Sequence, residues 1–307
     1  MDGLILVDKP QDITSHDVVA RLRKILSLPK IGHFGTLDPL ATGLLIAAVG
    51  KATKFFRFFS KLDKVYQGRI RLGFSTDSYD RSGVPLTEES LAYPHDEDVR
   101  RAMRTFEGEI DQTAPPFSAK KYRGKPLYTF ARRKNIVKLP AFRVQVHSFL
   151  LQDYLPPYLD FEVKCSSGTY IRTLAHDLGR HLGCGAHLAE LVRTEIGEFQ
   201  VKDSLALEEI KDLAERGRVR EFLRPLETLL PAFPKIELTQ DGLMLVQNGR
   251  PVFPEHMVQP DSQDVFFSPP SGQKEAVFRL FSPEGQLVGL AKRRDTPLSF
   301  SPFLVLV

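Results

Sequence analysis

Cysteine is nearly absent from this chain: it has two, Cys165 and Cys184, and no C-x-x-C pair. That argues against a zinc site and against a disulfide framework, so no metal is expected and both thiols are read as free, buried small side chains. Long apolar runs are missing too. None approaches the roughly 18 residues that cross a bilayer. The opening Met1-Asp2-Gly3-Leu4-Ile5-Leu6-Val7-Asp8-Lys9-Pro10 is acidic at once and its apolar part is short, unlike a secretory leader. A cytoplasmic protein is expected. Charge of one sign is also scarce: 42 Lys and Arg against 38 Asp and Glu leave a net +4. This permits a polyanionic partner without establishing one. Internal repeats and low-complexity tracts are lacking. The composition that remains is globular, 42% hydrophobic and 26% charged over 307 residues, enough for one large domain and a small one.

Hydrophobic periodicity gives a coarse map. Residues 3–7 read as a strand ended by Lys9-Pro10. Thr14 or Ser15 can cap a helix with Asp17 in its first turn, and Val18, Val19, Leu22, Ile25 and Leu26 recur at helical spacing until Pro29. Residues 44–49 are continuously apolar and fit a buried strand or helix segment. Residues 65–72 alternate as a strand does, and 75–95 are polar and turn-rich, as in a surface loop. Val99, Met103 and Phe106 suggest a second helix. Residues 144–151 and 159–165 suit a hairpin, and 171–182 a helix ended by Gly183. A charged helical stretch over 207–223 leads to Pro225, Pro231 and Pro234, the expected domain boundary. Beyond it, short β-like runs at 276–281, 286–291 and 303–307 are separated by Pro and Gly turns.

Two segments carry chemistry. In Ile31-Gly32-His33-Phe34-Gly35-Thr36-Leu37-Asp38-Pro39-Leu40-Ala41-Thr42-Gly43, three glycines and a proline make an irregular loop around one carboxylate. Pro39 steers Asp38 away from helical geometry, and the glycines let backbone approach a ligand. Read alone, the loop fits either a catalytic carboxylate or a turn whose Asp caps the next helix. The second segment, 120–134, interleaves Lys120, Lys121, Arg123, Lys125, Arg132, Arg133 and Lys134 with Tyr122, Tyr128 and Phe130. Cations neutralise phosphates and aromatics stack on unpaired bases, though a solvated charged loop has the same composition.

Gly32 to Leu45 resembles the TruB family of pseudouridine synthases, whose pattern is G-H-x-G-x-L-D-P-x-A-x-G. Further segments follow in order: Asp8-Lys9-Pro10 with Thr14-Ser15; Lys64-Val65-Tyr66; Thr76-Asp77-Ser78-Tyr79-Asp80-Arg81-Ser82-Gly83; Pro115-Pro116-Phe117-Ser118-Ala119-Lys120-Lys121; Gly168-Thr169-Tyr170-Ile171-Arg172; and Gly183-Cys184-Gly185-Ala186-His187-Leu188 with Leu191 and Arg193. The chain departs at Phe34, where a small residue is usual, at Gln11-Asp12, and at Lys134.

The resemblance implies an α+β fold, a mixed, largely antiparallel sheet flanked by helices. It implies a catalytic domain over 1–230 with an RNA-binding insertion at about 112–140, and a small β-rich PUA-like domain over 235–307. It implies isomerisation of the T-loop uridine of tRNA at position 55, without cofactor or metal, by a stand-alone enzyme that needs no guide RNA and is expected as a monomer. Asp38 is the implied nucleophile, attacking C1′ of the ribose or C6 of the base. Arg172 is its implied partner, since a nearby cation favours the charged carboxylate where burial disfavours it. Tyr66 is the implied platform for a flipped base and acceptor of the released proton. His33, Tyr170, Leu191, Lys9, Lys120, Lys121 and Arg193 are implied substrate contacts. A guide-RNA-dependent synthase of the dyskerin type and a catalytically idle RNA-folding protein are the competing readings. The short start argues against the first, and the intact Asp38, Tyr66 and Arg172 against the second.

Overall fold

The computed structural model describes residues 1–118, 120–131, 133, 137, 139–258 and 276–306. A ten-stranded sheet dominates it. Its strands are β1 (Gly3–Lys9), β2 (Ile31–His33), β3 (Thr42–Val49), β4 (Lys64–Leu72) and β5 (Gly108–Gln112). A two-stranded insertion hairpin, β6 (Lys121–Tyr122) and β7 (Lys125–Pro126), stands outside it. The sheet resumes with β8 (Phe142–Leu155), β9 (Tyr158–Cys165), β10 (Ala186–Ile196), β11 (Phe199–Gln200) and β12 (Leu223–Pro225). The order is β12-β1-β3-β10-β4-β9-β8-β5, with β11 on β10 and β2 on β3. All pairings are antiparallel except β3 with β10, so the α+β class expected from the sequence is the fold observed.

Helix α1 (Ser15–Leu26) starts at Thr14, whose hydroxyl accepts from the Asp17 backbone while Asp17 reaches back to the Thr14 N–H. This reciprocal cap fixes the first turn. The short α2 (Phe56–Phe59), α3 (Asp96–Arg104), α4 (Leu127–Ala131), α5 (Ile171–His181) and α6 (Leu207–Glu215) follow. The helix read over 207–223 ends at Glu215, before Gly217; a 3-10 turn and β12 take up the rest.

β1 and β3 are buried on both faces. Ile5, Val7, Leu45 and Ala47 face α1 and α6 through Val18, Leu22 and Ile210. Leu4, Leu6, Leu44 and Ile46 face Phe34, Phe55 and Phe59. A strand covered on both sides needs no alternation, which is why 44–49 looks continuously apolar. The third cluster packs α3 and α5 against β4, β8, β9 and β10 through Met103, Leu174, Leu178, Ile70, Phe161 and Leu188.

A separate four-stranded sheet, β13 (Lys235–Glu237), β14 (Val277–Phe281), β15 (Leu287–Asp295) and β16 (Leu298–Val305), packs on α7 (Gln240–Gln247). Its other side is not free. Leu287, Leu290 and Leu304 join the cluster of Phe55 and Phe59, the Arg57 guanidinium lies 4.3 Å from the Phe303 ring centroid, and Lys54 donates to the Val305 carbonyl. Val307, read as the end of a strand, lies outside the described residues.

Candidate active site

The loop from 34 to 42 is held by its neighbours rather than by regular structure. The Phe34 N–H donates to Ile46, the Ser15 hydroxyl exchanges hydrogen bonds with both backbone groups of Leu37, and Asp12 N–H donates to Pro39. Two glycines are needed. Gly35 and Gly43 have φ of 96° and 93°, and a Cβ on Gly43 would lie 2.5 Å from the Arg193 carbonyl. Gly32 has room for a side chain and no left-handed φ. Phe34 stacks on Phe59 at 5.4 Å in the core, so the departure from the family pattern is absorbed by packing and does not face the cleft.

The loop presents Asp38 to Arg172 at the start of α5. Arg172 Nε donates to one carboxylate oxygen at 2.8 Å and a terminal nitrogen to the other at 3.0 Å. The guanidinium also donates to the carbonyls of Ser78, 3.2 Å, and Phe117, 3.0 Å, and lies 3.4 Å from the Asp80 carboxylate. The Arg172 side chain is 4% exposed and that of Asp38 36%. The arginine is therefore locked from behind while the aspartate keeps an open edge. A cation in the first turn of a helix opposes the macrodipole; two carboxylates around it reverse the balance.

A cleft of about 260 Å³ opens at that edge. Tyr66, Tyr170, Leu191, Lys64 and Arg193 line it with Asp38 and Arg172. Burial pushes the Tyr66 phenol up, with Arg193 beside it pulling the other way, so the resting ring carries its proton. Tyr170 is fixed by Gln112, whose amide brackets its backbone N–H and carbonyl at 2.9 and 3.1 Å. Burial also raises its phenol. Lys64, buried with its ammonium on the Ser60 and Leu62 carbonyls, is lowered to about 8 by burial and then by Arg193.

The other expected contacts are differently placed. Arg193 does line the cleft, but it is buried and its guanidinium donates to the carbonyls of Leu44, Thr36 and Gly35, pinning the Asp38 loop. Lys9 is fully buried, with Nζ donating to Pro10, Ile13 and Pro39. It offers no ammonium to an RNA phosphate and instead ties the loop to β1, and burial lowers it to about 8. His33 stands outside the cleft wall, edge-on to His16 at 5.2 Å, and burial holds it down to about 4. Lys120 lies over the Phe142 ring at 3.7 Å, and Lys121 is exposed on β6. Arg132 and Lys134, like Ala119, lie outside the described residues.

Residues 81–95 are largely exposed, as their polarity suggests, but the start of that segment is not surface loop. Ser75, Thr76, Ser78 and Asp80 are buried, and Asp80 holds the Ser78 and Ser82 hydroxyls as well as Arg172. Sequence reasoning passes over Asp80, Ser78 and Gln112 because a polar residue buried against a partner far along the chain looks like one in solvent, and over Lys64 because its ammonium is buried on nearby backbone carbonyls. Among the described residues no group of three His, Cys, Asp or Glu could hold a metal, and no helix is long and apolar enough to cross a membrane.

Comparison with known proteins gives the family. Residues 23–171 match the family model described as TruB family pseudouridylate synthase (N terminal domain), and 172–231 that of the tRNA pseudouridylate synthase B C-terminal domain. The tRNA pseudouridine synthase B of Solibacter usitatus is 42% identical over 250 residues, 81% of this chain and 85% of that protein. That of Cupriavidus metallidurans is 37% identical over 302 residues, 96% and 92% of the two chains. A chain in a solved H/ACA RNP bound to a substrate RNA containing 2′-deoxyuridine superposes with a TM-score of 0.72 at 25% identity, covering 99% of this chain and 85% of that one. A chain of a Cbf5-Nop10-Gar1 complex gives 0.70, also at 25% identity, covering 99% and 85%. The chain belongs to the TruB family of pseudouridine synthases.

Proposed function

We propose that the protein is a stand-alone tRNA pseudouridine synthase, working as a monomer in the cytoplasm on the T-loop uridine at position 55, with Asp38 as nucleophile. The observation that carries the reading is the two-point Arg172–Asp38 pair at the mouth of a cleft walled by Tyr66, Tyr170 and Leu191. At about 260 Å³ the cleft is smaller than most ligand pockets, which run roughly 300–1,000 Å³, and suits one extruded base.

Pseudouridylation breaks the N1–C1′ bond, turns the base and joins its C5 to C1′, so no redox partner or added group enters. Each carboxylate oxygen of Asp38 takes one hydrogen bond from Arg172 and keeps a lone pair for attack, at C1′ or at C6. Tyr66 and Leu191 sandwich the base as it turns. The proton lost from C5 needs an acceptor, and Tyr66 is assigned to it as a relay: burial keeps the resting phenol protonated, so its oxygen takes the C5 proton as its own passes on to solvent, with Arg193 beside it favouring the anionic oxygen in between.

The insertion carries Lys120, Lys121, Arg123 and Lys125 and touches the catalytic arginine through the Phe117 carbonyl. It is assigned to the T stem-loop, and the PUA-like sheet beyond residue 235 to the RNA stem. The relatives named tRNA pseudouridine synthase B, 37–42% identical in the two examples above, favour this over guide-RNA dependence. The test is tritium release from tRNA labelled at uridine C5, using purified protein without guide RNA. Release at the T-loop position supports the reading. Release only with a guide RNA, or none, overturns it.

A further inference from the structure

Tyr79 has φ of 64°, the left-handed region that a bulky aromatic residue rarely adopts. That conformation has a consequence on either side. It turns the Ser78 carbonyl and the Asp80 carboxylate to the same guanidinium, at 3.2 and 3.4 Å from Arg172. In an extended backbone, neighbours two apart would share a face only through their side chains. Here one main-chain oxygen and one side chain converge.

Something must hold Tyr79 there. Its ring lies 3.8 Å from the His176 ring with planes 9° apart, the closest ring pair among the described residues. His176 is on α5, four residues after Arg172, so both project from one face of that helix. Burial, then Arg180, lowers His176 to about 4, so the stacked imidazole is neutral. The Tyr79 carbonyl accepts from Leu188 of β10, and its N–H donates to Thr76. One helix thus grips the 76–82 loop at two points, through Arg172 and through His176.

We infer that Tyr79 and His176 are positioning residues: their stack fixes the loop that holds Arg172, and Arg172 in turn aims Asp38. Neither ring touches the cleft. The inference rests on the proposed role of Asp38, so its test needs one readout that does not depend on turnover. The Nε–H of Arg172, bonded to Asp38, serves as that readout by NMR of the ¹⁵N-labelled protein.

Three variants separate stacking from backbone conformation. Tyr79→Phe keeps the stack and is expected to form pseudouridine in a T-stem-loop within about twofold of wild type. Tyr79→Ala loses the stack and keeps the left-handed cost. It is expected to slow single-turnover conversion by about tenfold to a hundredfold, as a misplacement near one ångström does, while RNA affinity changes less than about twofold. Its Arg172 Nε–H signal should broaden or exchange faster, with the far-UV spectrum unchanged. Tyr79→Gly, free to adopt positive φ, should lie between the two. His176→Ala should lose as much as Tyr79→Ala, and the double variant no more than either. Full activity in Tyr79→Ala with an unaltered Nε–H signal overturns the inference, as do losses that multiply in the double variant. An altered signal in a protein whose wild type converts no uridine leaves the positioning role standing and removes the functional reading instead.

Discussion

Replacing Arg172 by lysine keeps the charge and removes the fork. The guanidinium makes two hydrogen bonds to Asp38, at 2.8 and 3.0 Å, and two more to the Ser78 and Phe117 carbonyls. A lysine ammonium is a point donor and reaches one carboxylate oxygen well. One charge-assisted bond to Asp38 is therefore lost, worth about 1.5–3 kcal/mol. Felt wholly at the reacting carboxylate, that slows the chemical step about 10- to 150-fold. The side chain is nearly fully buried, so a carbonyl left without its donor adds a stability cost of about 1–3 kcal/mol. The assay is single-turnover pseudouridine formation in a T-stem-loop at saturating enzyme, with thermal unfolding measured alongside. A rate within twofold of wild type would refute the geometric role and leave charge balance as sufficient.

Tyr66→Phe should bind RNA as wild type does and stall before product. A 5-fluorouridine stem-loop, with fluorine where the proton departs, should still be rearranged, and normal turnover of ordinary uridine leaves the tyrosine as a platform only. Lys9→Met should lower stability by about 1–3 kcal/mol, because three carbonyls lose their donor, with RNA affinity unchanged in a filter-binding titration. A clear drop in affinity in the folded variant would return Lys9 to the RNA interface. Gly43→Ala places a Cβ 2.5 Å from the Arg193 carbonyl at φ of 93°, so a clearly lower Tm and impaired turnover are expected; a wild-type Tm contradicts the close approach. His33 and His176 both titrate near 4 when folded and near 6.5 when unfolded. Between those values the unfolded chain binds more protons, so stability falls as pH drops through that window. His176→Gln should flatten the fall in urea denaturation between about pH 7 and about pH 5, and an unchanged slope counts against it.

The site was legible where one residue carries a local constraint, and illegible where burial depends on distant partners. Asp38 stands out because Gly35, Pro39 and Gly43 surround it, and two of those three glycine and proline positions have the geometry their identity suggests. Helix α1 follows from Thr14, Asp17 and its apolar stripe. Strand β10 does not. Its first four residues are buried without alternation, and two irregularities of register, between Leu188 and Glu190 and between Arg193 and Glu195, break its period. The 75–95 segment is mostly polar, yet its Ser78 carbonyl and Asp80 carboxylate serve Arg172, which follows about ninety residues later. Lys9 and Arg193 show the converse: cations in an RNA-modifying enzyme look like phosphate contacts, and here their donors go to backbone carbonyls in and beside the Asp38 loop.

The most direct measurement is on Asp38→Asn, which keeps the shape of the side chain, removes its charge and leaves one of its two acceptors for Arg172. Binding of tRNA and single-turnover pseudouridine formation are measured on the same preparation. The expected result is an unchanged Kd with conversion below about one hundredth of wild type, since losing a covalent group typically costs several orders of magnitude. Conversion above that level, with tRNA bound normally, would contradict Asp38 as the nucleophile.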